Sequence, residues 1–542
     1  MATLNKDEKK IKKGQFMKHI YPEGLPTDAI IDKTIPGIGA TSWEIEYPRH
    51  SIIIVPNVPV IKGKEKKYST KEYLDKGMKI LGIYQGVEIP HIQKYLLDDI
   101  AKWKTILTTP EGYEKVKNAI GLENLNRDLF PVFFFMIDEC EKAIQDVNFR
   151  GKIIIPFFDL FEYEKKCLIS ATPLYTNLHE FEKNQFTEIK IKPDYEYEQK
   201  IKVIGTNDIT KALQEELFKD NNMKAIFINS IEYPVFLMEH CNISDRSNMY
   251  TSNDGVKEWK VKDTKGCQFL SEFNDDMRQF NFFTSRYFSA VDLETEDKPD
   301  VIIITDSISL PYSIIDPDTH AVQISGRFRN GINSLTHITN TNPNIQCKTK
   351  TEIITTLNEQ KAFYDAIINL PEASTNGAKE MIQEFLDNSF LGEHIYTEGK
   401  LKGQLNGFTI ANKIEREKYK SYYRSMNLIY SAYNNSDHFN IEYEYKSFET
   451  LTTVKKKIVY KEDRMRWLDR LEDLMPKPIN GEVQIRFRTE DEEFELAGIM
   501  MNDPLLVDVY TRCGSEIIKA KNYDTTKMKA LLDKSKKEDI YI

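Results

Sequence analysis

The sequence predicts an α/β protein: two tandem units with parallel sheets, followed by a C-terminal α+β accessory domain. Three observations carry this. Short apolar runs alternate with stretches of helical spacing from about residue 28 to residue 340, the pattern of strands joined by helical crossovers. Runs such as Phe133-Phe134-Phe135-Met136-Ile137 are apolar at every position, so the strand is expected to be covered on both faces. Beyond about residue 340 the alternation ends and longer helical stretches take over.

The first series of expected strands is 29–33, 51–55, 79–83, 105–108, 132–138 and 166–170. Residues 188–203 alternate Lys-Ile-Lys and Tyr-Glu-Tyr-Glu and read as an extended connector. The second series is 224–229, 248–251, 280–284, 301–305 and 335–339. Further on, 357–390 and 413–433 have helical periodicity, 440–445 and 454–460 read as a strand pair, and 464–474 reads as an amphipathic helix. The expected domains are therefore 1–190, 191–340 and 341–542. No internal repeat or low-complexity tract is present.

Bulk properties narrow the class. At 542 residues, 40% hydrophobic and 29% charged, the chain suits a soluble globular protein of several domains. No apolar run reaches the roughly 18–20 residues of a membrane span. The charged N-terminus, 1–13, lacks the apolar core of a secretory signal, so a cytoplasmic protein is expected. The 6 cysteines are scattered without a Cys-x-x-Cys pair, which argues against a zinc site or a disulfide framework. A net charge of −10 counts against a uniformly basic nucleic-acid surface. Local lysine runs remain, of which Lys62, Lys64, Lys66 and Lys67 are the most relevant because they follow an expected strand.

The chemistry concentrates where strands end. The run 133–137 leads into Asp138-Glu139-Cys140-Glu141. A carboxylate at the carboxyl edge of a parallel sheet can hold Mg²⁺, and the next one can polarise a water. The strand 166–170 ends in Ser170-Ala171-Thr172. Gln323-Ile324-Ser325-Gly326-Arg327-Phe328-Arg329 offers two guanidinium groups suited to a phosphate chain. After the first strand comes Lys33-Thr34-Ile35-Pro36-Gly37-Ile38-Gly39-Ala40-Thr41, whose glycines permit a tight turn that aims N–H groups at phosphate.

In this order these segments resemble motifs II, III and VI of superfamily 2 helicases, the DEAD/DEAH-box-like group. The loop 33–41 resembles motif I in degenerate form, because the family's P-loop lysine falls on Ala40; Lys33 is the upstream candidate to replace it. Ser51–Asn57 with the lysines that follow resembles motif Ia, and Ile106-Leu107-Thr108-Thr109-Pro110-Glu111-Gly112 resembles motif Ib. Residues 225–230 resemble motif IV, and 284–293 are similar to motif V. The resemblance covers roughly residues 25–340.

It implies two RecA-like domains with ATP between them. Lys33, Gly37, Gly39, Ala40 and Thr41 would surround the phosphates, and Asp292 would meet the ribose. Thr41 and Asp138 would hold Mg²⁺. Glu139 would orient the attacking water, with Gln323 near it, and Arg327 and Arg329 would reach the γ-phosphate. Ser170 and Thr172 would couple hydrolysis to the strand-binding face. DNA or RNA would be met by Lys62, Lys64, Thr109 and Thr284. The implied activity is an ATP-dependent helicase or translocase in the cytoplasm, the host's if the chain is phage-encoded. The competing expectation is a helicase-like nucleic-acid-binding protein with impaired or lost ATPase. A nuclease or metabolic enzyme would need a further carboxylate cluster or a nucleophile–base pair, and neither is evident.

Overall fold

The computed structural model describes residues 4–98, 102–121, 129–176, 178–260, 266–273, 276–288, 293–370, 375–397, 401–448, 453–475, 489, 492–493, 495–496, 499, 503–521, 523 and 525–538. They form two compact units, Met1–Phe448 and Glu449–Ile542.

The first unit contains two sheets, each of eight described strands. The first sheet is built from β1 (Asn5–Ile11), β2 (Ala29–Asp32), β3 (Ser51–Ile54), β4 (Met78–Ile83), β5 (Trp103–Thr108), β6 (Phe134–Asp138), β7 (Lys165–Ser170) and β8 (Thr187–Pro193). Its order is β1-β8-β2-β7-β6-β3-β5-β4. The second comprises β9 (Gln199–Thr206), β10 (Lys224–Phe227), β11 (Ser247–Tyr250), β12 (Gln268–Leu270), β13 (Phe280–Phe283), β14 (Asp300–Thr305), β15 (Ser334–Thr339) and β16 (Phe439–Lys446). Its order is β12-β11-β13-β10-β14-β15-β9-β16. Every described pairing is parallel. The expected α/β class, with two tandem parallel-sheet units, is what the chain adopts.

The all-apolar strands are explained by two-sided burial. Successive side chains point to opposite faces. On β6, Phe135 and Ile137 enter one core with Ile52, Ile54 and Leu168, while Phe134 and Met136 enter the other with Ile31, Ile53 and Ile169. On β10 and β14, Phe227 and Ile303 face one core of the second sheet, and Ile226 and Ile302 the other.

Three expectations are corrected. Residues 188–203 are not one connector: the stretch contains most of β8, which pairs with β1 and β2, and the start of β9, which belongs to the other sheet. Residues 440–445 do form a strand, but it pairs with β9, whereas 454–460 lies inside the helix Thr453–Leu474. Residues 341–542 are not one domain. Phe439 of β16 is buried with Ile201 and Val203 of β9, which draws the chain as far as Phe448 into the first unit.

The second unit is helical where described, with Thr453–Leu474, Pro504–Cys513, Ser515–Ala520 and Thr525–Glu538. Leu468, Leu471, Leu506, Val509, Ile518 and Met528 form its core. The buried Arg464 pairs with Asp503, which also caps Leu506 N at 3.1 Å. Among the described residues, no helix is long and apolar enough to cross a membrane.

Candidate nucleotide site

Strand order brings the motifs together. β2, β7 and β6 are neighbours, and their carboxyl ends deliver Lys33, Ser170 to Thr172, and Asp138 to Glu141 to one edge. The Lys33 N–H donates to Ser170 O at 2.6 Å, extending the β2–β7 ladder by one residue. Asp32 then accepts from Thr34 N at 2.7 Å, and Thr34, Gly37 and Gly39 take left-handed φ of 57°, 82° and 82°. This bent loop enters the helix Ala40–Glu46. The helix is pinned from behind: Glu44 is fully buried, accepts from Arg49 Nε at 2.8 Å, and also accepts from the Ser51 hydroxyl.

The loop returns two side chains to Asp138. Lys33 Nζ lies 3.2 Å from Asp138 Oδ1, and the Thr41 hydroxyl donates to Oδ2. Burial alone would push the Lys33 ammonium down, but the carboxylates of Asp138, Glu139 and Glu141 outweigh it and hold the pKa above the ordinary lysine value. Ala40 points elsewhere, into the core with Ile31, Ile38 and Ile45, and is 3% exposed.

Glu139 sits at φ 52°, an uncommon conformation for a residue with a side chain, and Glu139 N donates to Asp138 Oδ1 at 3.0 Å. Its Oε2 is buried without a hydrogen-bond partner. Glu141 is fully buried, and burial together with the charge of Glu139 pushes its pKa up to about 8.

The second sheet supplies the facing wall. A π-turn, Pro317–Ala321, runs into the helix Val322–Ser325. Gln323 Nε2 reaches across the cleft to Glu141 Oε1 at 2.9 Å and Thr172 Oγ1 at 3.2 Å. Arg327 is buried, donates to Gln323 O at 2.8 Å and Gln323 Oε1 at 3.0 Å, and lies 4.0 Å from Glu139 Oε1. Thr172 N donates to Ser170 Oγ at 3.0 Å. Ser170, Thr172, Glu141, Gln323, Arg327 and Glu139 thus form one polar chain across the two sheets.

Arg329 faces the loop instead. A methyl added at Gly37 would lie 2.9 Å from Arg329 Nη1, and one added at Gly326 would lie 2.6 Å from Pro36 Cγ. These two glycines allow the walls to approach.

Asp138 and Thr41 suit Mg²⁺, which takes one carboxylate and a hydroxyl and completes its shell with phosphate oxygens and water. Among the described residues no three His, Cys, Asp or Glu side chains gather as a self-sufficient metal site.

The expected nucleic-acid contacts are more dispersed. Lys62 lies 5.5 Å from the Tyr84 ring, and Lys64 donates to Ser42 Oγ at 2.7 Å, tying the helix Val58–Tyr68 to the helix after the loop. Thr109 caps a turn by accepting from Gly112 N at 3.3 Å. Thr284 donates to Tyr250 O at 3.3 Å on the other sheet. Asp292 lies outside the described residues. Pro56, Pro110, Glu139, Lys142, Ile153 and Phe157 line a recess beside Asp138.

Sequence reasoning assigned no role to Glu141, Pro36 or Gly326, although each lies within a quoted motif. Their contacts cross between sheets, which local pattern does not reveal.

No protein-family description and no curated protein matches the chain. Among solved structures, the helicase Lhr of Mycobacterium smegmatis, bound to ssDNA and AMP-PNP, aligns at 11% identity and a TM-score of 0.36, over 62% of this chain and 46% of that one. Dbp5 of S. cerevisiae, bound to RNA and ADP BeF3, aligns at 11% and 0.36, over 66% and 89%. The DUF1998 helicase MrfA, bound to DNA and AMPPNP, aligns at 12% and 0.37, over 60% and 47%. The chain spans just under half the length of Lhr and of MrfA. Similarity this low carries no functional argument.

Proposed function

We propose that the chain is an ATP-dependent nucleic-acid helicase or translocase that hydrolyses ATP between two RecA-like sheets. The observation that carries this reading is the convergence of Lys33, Thr41 and Asp138 on one side of a cleft with Gln323, Arg327 and Arg329 on the other. Two half-sites on two sheets suit a nucleotide whose hydrolysis changes their closure.

In this mechanism the loop 34–39 cradles the phosphates, and Lys33 supplies the cation that a P-loop lysine would give. The charges of Asp138 and Glu139 beside Lys33 favour its ammonium form and hold its pKa above the ordinary lysine value despite burial. Asp138 and Thr41 would hold Mg²⁺, which neutralises charge on the β- and γ-phosphates when bound. Glu139 orients the attacking water, and its unpartnered Oε2 is free to accept from it. Arg329, over Gly37, would supply positive charge to the phosphates held by the loop. Arg327 holds Gln323 in register and relays closure to Ser170 and Thr172. DNA or RNA would cross the same carboxyl edge, past Thr109 and Thr284, with Lys62 and its neighbours adding charge.

The test is ATP turnover by the purified chain, alone and with single- and double-stranded DNA and RNA. Stimulated turnover that falls roughly 10²–10⁴-fold in E139Q supports the reading. Undiminished turnover in E139Q overturns the assignment of Glu139.

One observation favours a second reading. Ala40 stands where the family's lysine belongs and is packed into the core, so a loop that binds nucleotide without hydrolysing it is the alternative. That reading predicts nucleotide binding with no turnover on any nucleic acid.

A further inference from the structure

We infer that the helix Gly407–Tyr422 is a strut that sets the spacing between the two halves of the cleft, with Asn412 as its positioning residue. The inference rests on the nucleotide-site reading for its kinetic consequence, but not for its structural one.

The helix lies in a segment where the sequence offers no chemistry, yet its two ends serve different sheets. It is capped by Asn406, which accepts from Phe408 N at 3.1 Å. Its first half docks on the first sheet's side. Asn412 is 3% exposed; its Nδ2 donates to Ile144 O at 2.7 Å and Gln145 O at 3.1 Å, and its Oδ1 accepts from Asn148 Nδ2 at 2.8 Å. Those carbonyls belong to the short helix Lys142–Gln145, whose last amides donate to Glu141 O at 2.9 and 3.0 Å. Asn412 therefore caps from another segment the one turn that fixes Glu141. Phe408 adds an apolar anchor, 5.1 Å from the Phe157 ring and buried with Ile144, Ile153 and Ile154.

The second half belongs to the other sheet. The Tyr419 ring lies 5.9 Å from His320, in the turn that leads directly to Gln323. Tyr423, just past the helix, donates to Ile315 O at 3.0 Å and accepts from Asn342 N at 2.9 Å. Sixteen residues of helix make a rigid rod of about 24 Å. One rod thus supports, from behind, the turn that holds Glu141 and the turn that holds Gln323. The two sheets cannot part at the cleft without releasing one end of it, and at the first end Asn412 supplies the polar contacts beside the apolar anchor Phe408.

The experiment reads distance, not activity. Fluorophores attached through unnatural residues at exposed Leu97 and Phe218 report the separation of the two sheets by single-molecule energy transfer. N412A removes up to three hydrogen bonds, so the nucleotide-free open-to-closed ratio should rise on the order of tenfold or more. N148A removes one of them and should raise it less; it also serves if N412A fails to fold. Where ATP turnover is measurable, N412A should raise KM about as much as it opens the cleft, with kcat changed far less, because saturating nucleotide recloses it. Unchanged distance distributions in folded N412A and N148A overturn the strut. A distance shift in a chain that shows no ATP turnover supports the strut and overturns the ATPase reading instead.

Discussion

Replacing Gly326 with Ala adds a single methyl group at the point where the walls of the cleft meet. Gly326 has φ −89°, which alanine adopts freely, so the substitution carries no backbone strain of its own. Its Cβ would stand 2.6 Å from Pro36 Cγ and 2.9 Å from Pro36 Cβ, against an ordinary carbon–carbon contact of about 3.5–4.0 Å. Proline is rigid, so the sheets must withdraw by about 1 Å. That movement would stretch the Gln323–Glu141 bond from 2.9 Å to about 3.9 Å, out of hydrogen-bonding range, and lift Arg329 from Gly37. Overpacking of this kind costs about 1–3 kcal/mol, and a 1 Å misplacement at a reacting centre can cost about 10²-fold in rate. G326A should therefore lose roughly 10–100-fold in ATP turnover at saturating nucleotide, while its melting temperature falls by only a few degrees. P36A removes the opposing ring, so P36A/G326A should recover part of the loss, and the double-mutant cycle should show strong coupling. Full turnover in G326A, or additive effects in the cycle, would refute the closed-cleft geometry.

Lys33→Ala should abolish turnover by removing the lysine that pairs with Asp138, and Ala40→Lys should not restore it but lower the melting temperature, because Ala40 faces an apolar core; wild-type turnover in K33A would return the phosphate-binding role to another cation. Glu141→Gln should flatten the pH dependence of stability. With its pKa raised to about 8, the folded chain holds a proton that the unfolded chain releases near 4.5, so wild-type stability falls as pH rises between those values. E141Q should therefore gain on wild type by up to a few kcal/mol from pH 5 to pH 8, at roughly 1.4 kcal/mol per unit, read as denaturant midpoints across that range; parallel curves would show that Glu141 is ionised in the fold. Neutralising Lys62, Lys66 and Lys67 together should weaken nucleic-acid binding regardless of base sequence and flatten its salt dependence by about one unit per phosphate contact; an unchanged slope would make them a solvated surface.

What was legible follows from what is local. Strands β2, β3, β6, β10 and β14 announced themselves because a parallel strand covered on both faces must be apolar at nearly every position. β1 did not, since Asn5 to Lys10 is an exposed edge whose lysines and acids read as a charged tail. β8 and β9 were hidden by their alternation, which at the margin of a sheet resembles an extended linker. β16 pairs with a strand more than two hundred residues earlier, so no window around it could reveal its partner. Val454 and Ile458 fit a strand by type, but their spacing of four is helical, and the helix prevailed. At the site, Lys33, Thr41 and Asp138 come together because β2 and β6 lie on either side of β7 and all three strands end at the same edge. Asn412 was not legible, because a carboxamide capping a turn 268 residues away leaves no trace in its own surroundings.

Residues 194–198 are the covalent link between the two sheets, running from β8 to β9. Fully extended, this tether spans about 20 Å. Even with the strut released and the cleft empty, Gln323 and Arg329 would therefore meet the loop at an effective concentration in the millimolar range or above. Re-closure is then a local event, independent of how much protein is present. Changes in the cleft should alter how long the walls stay together, and dilution should not.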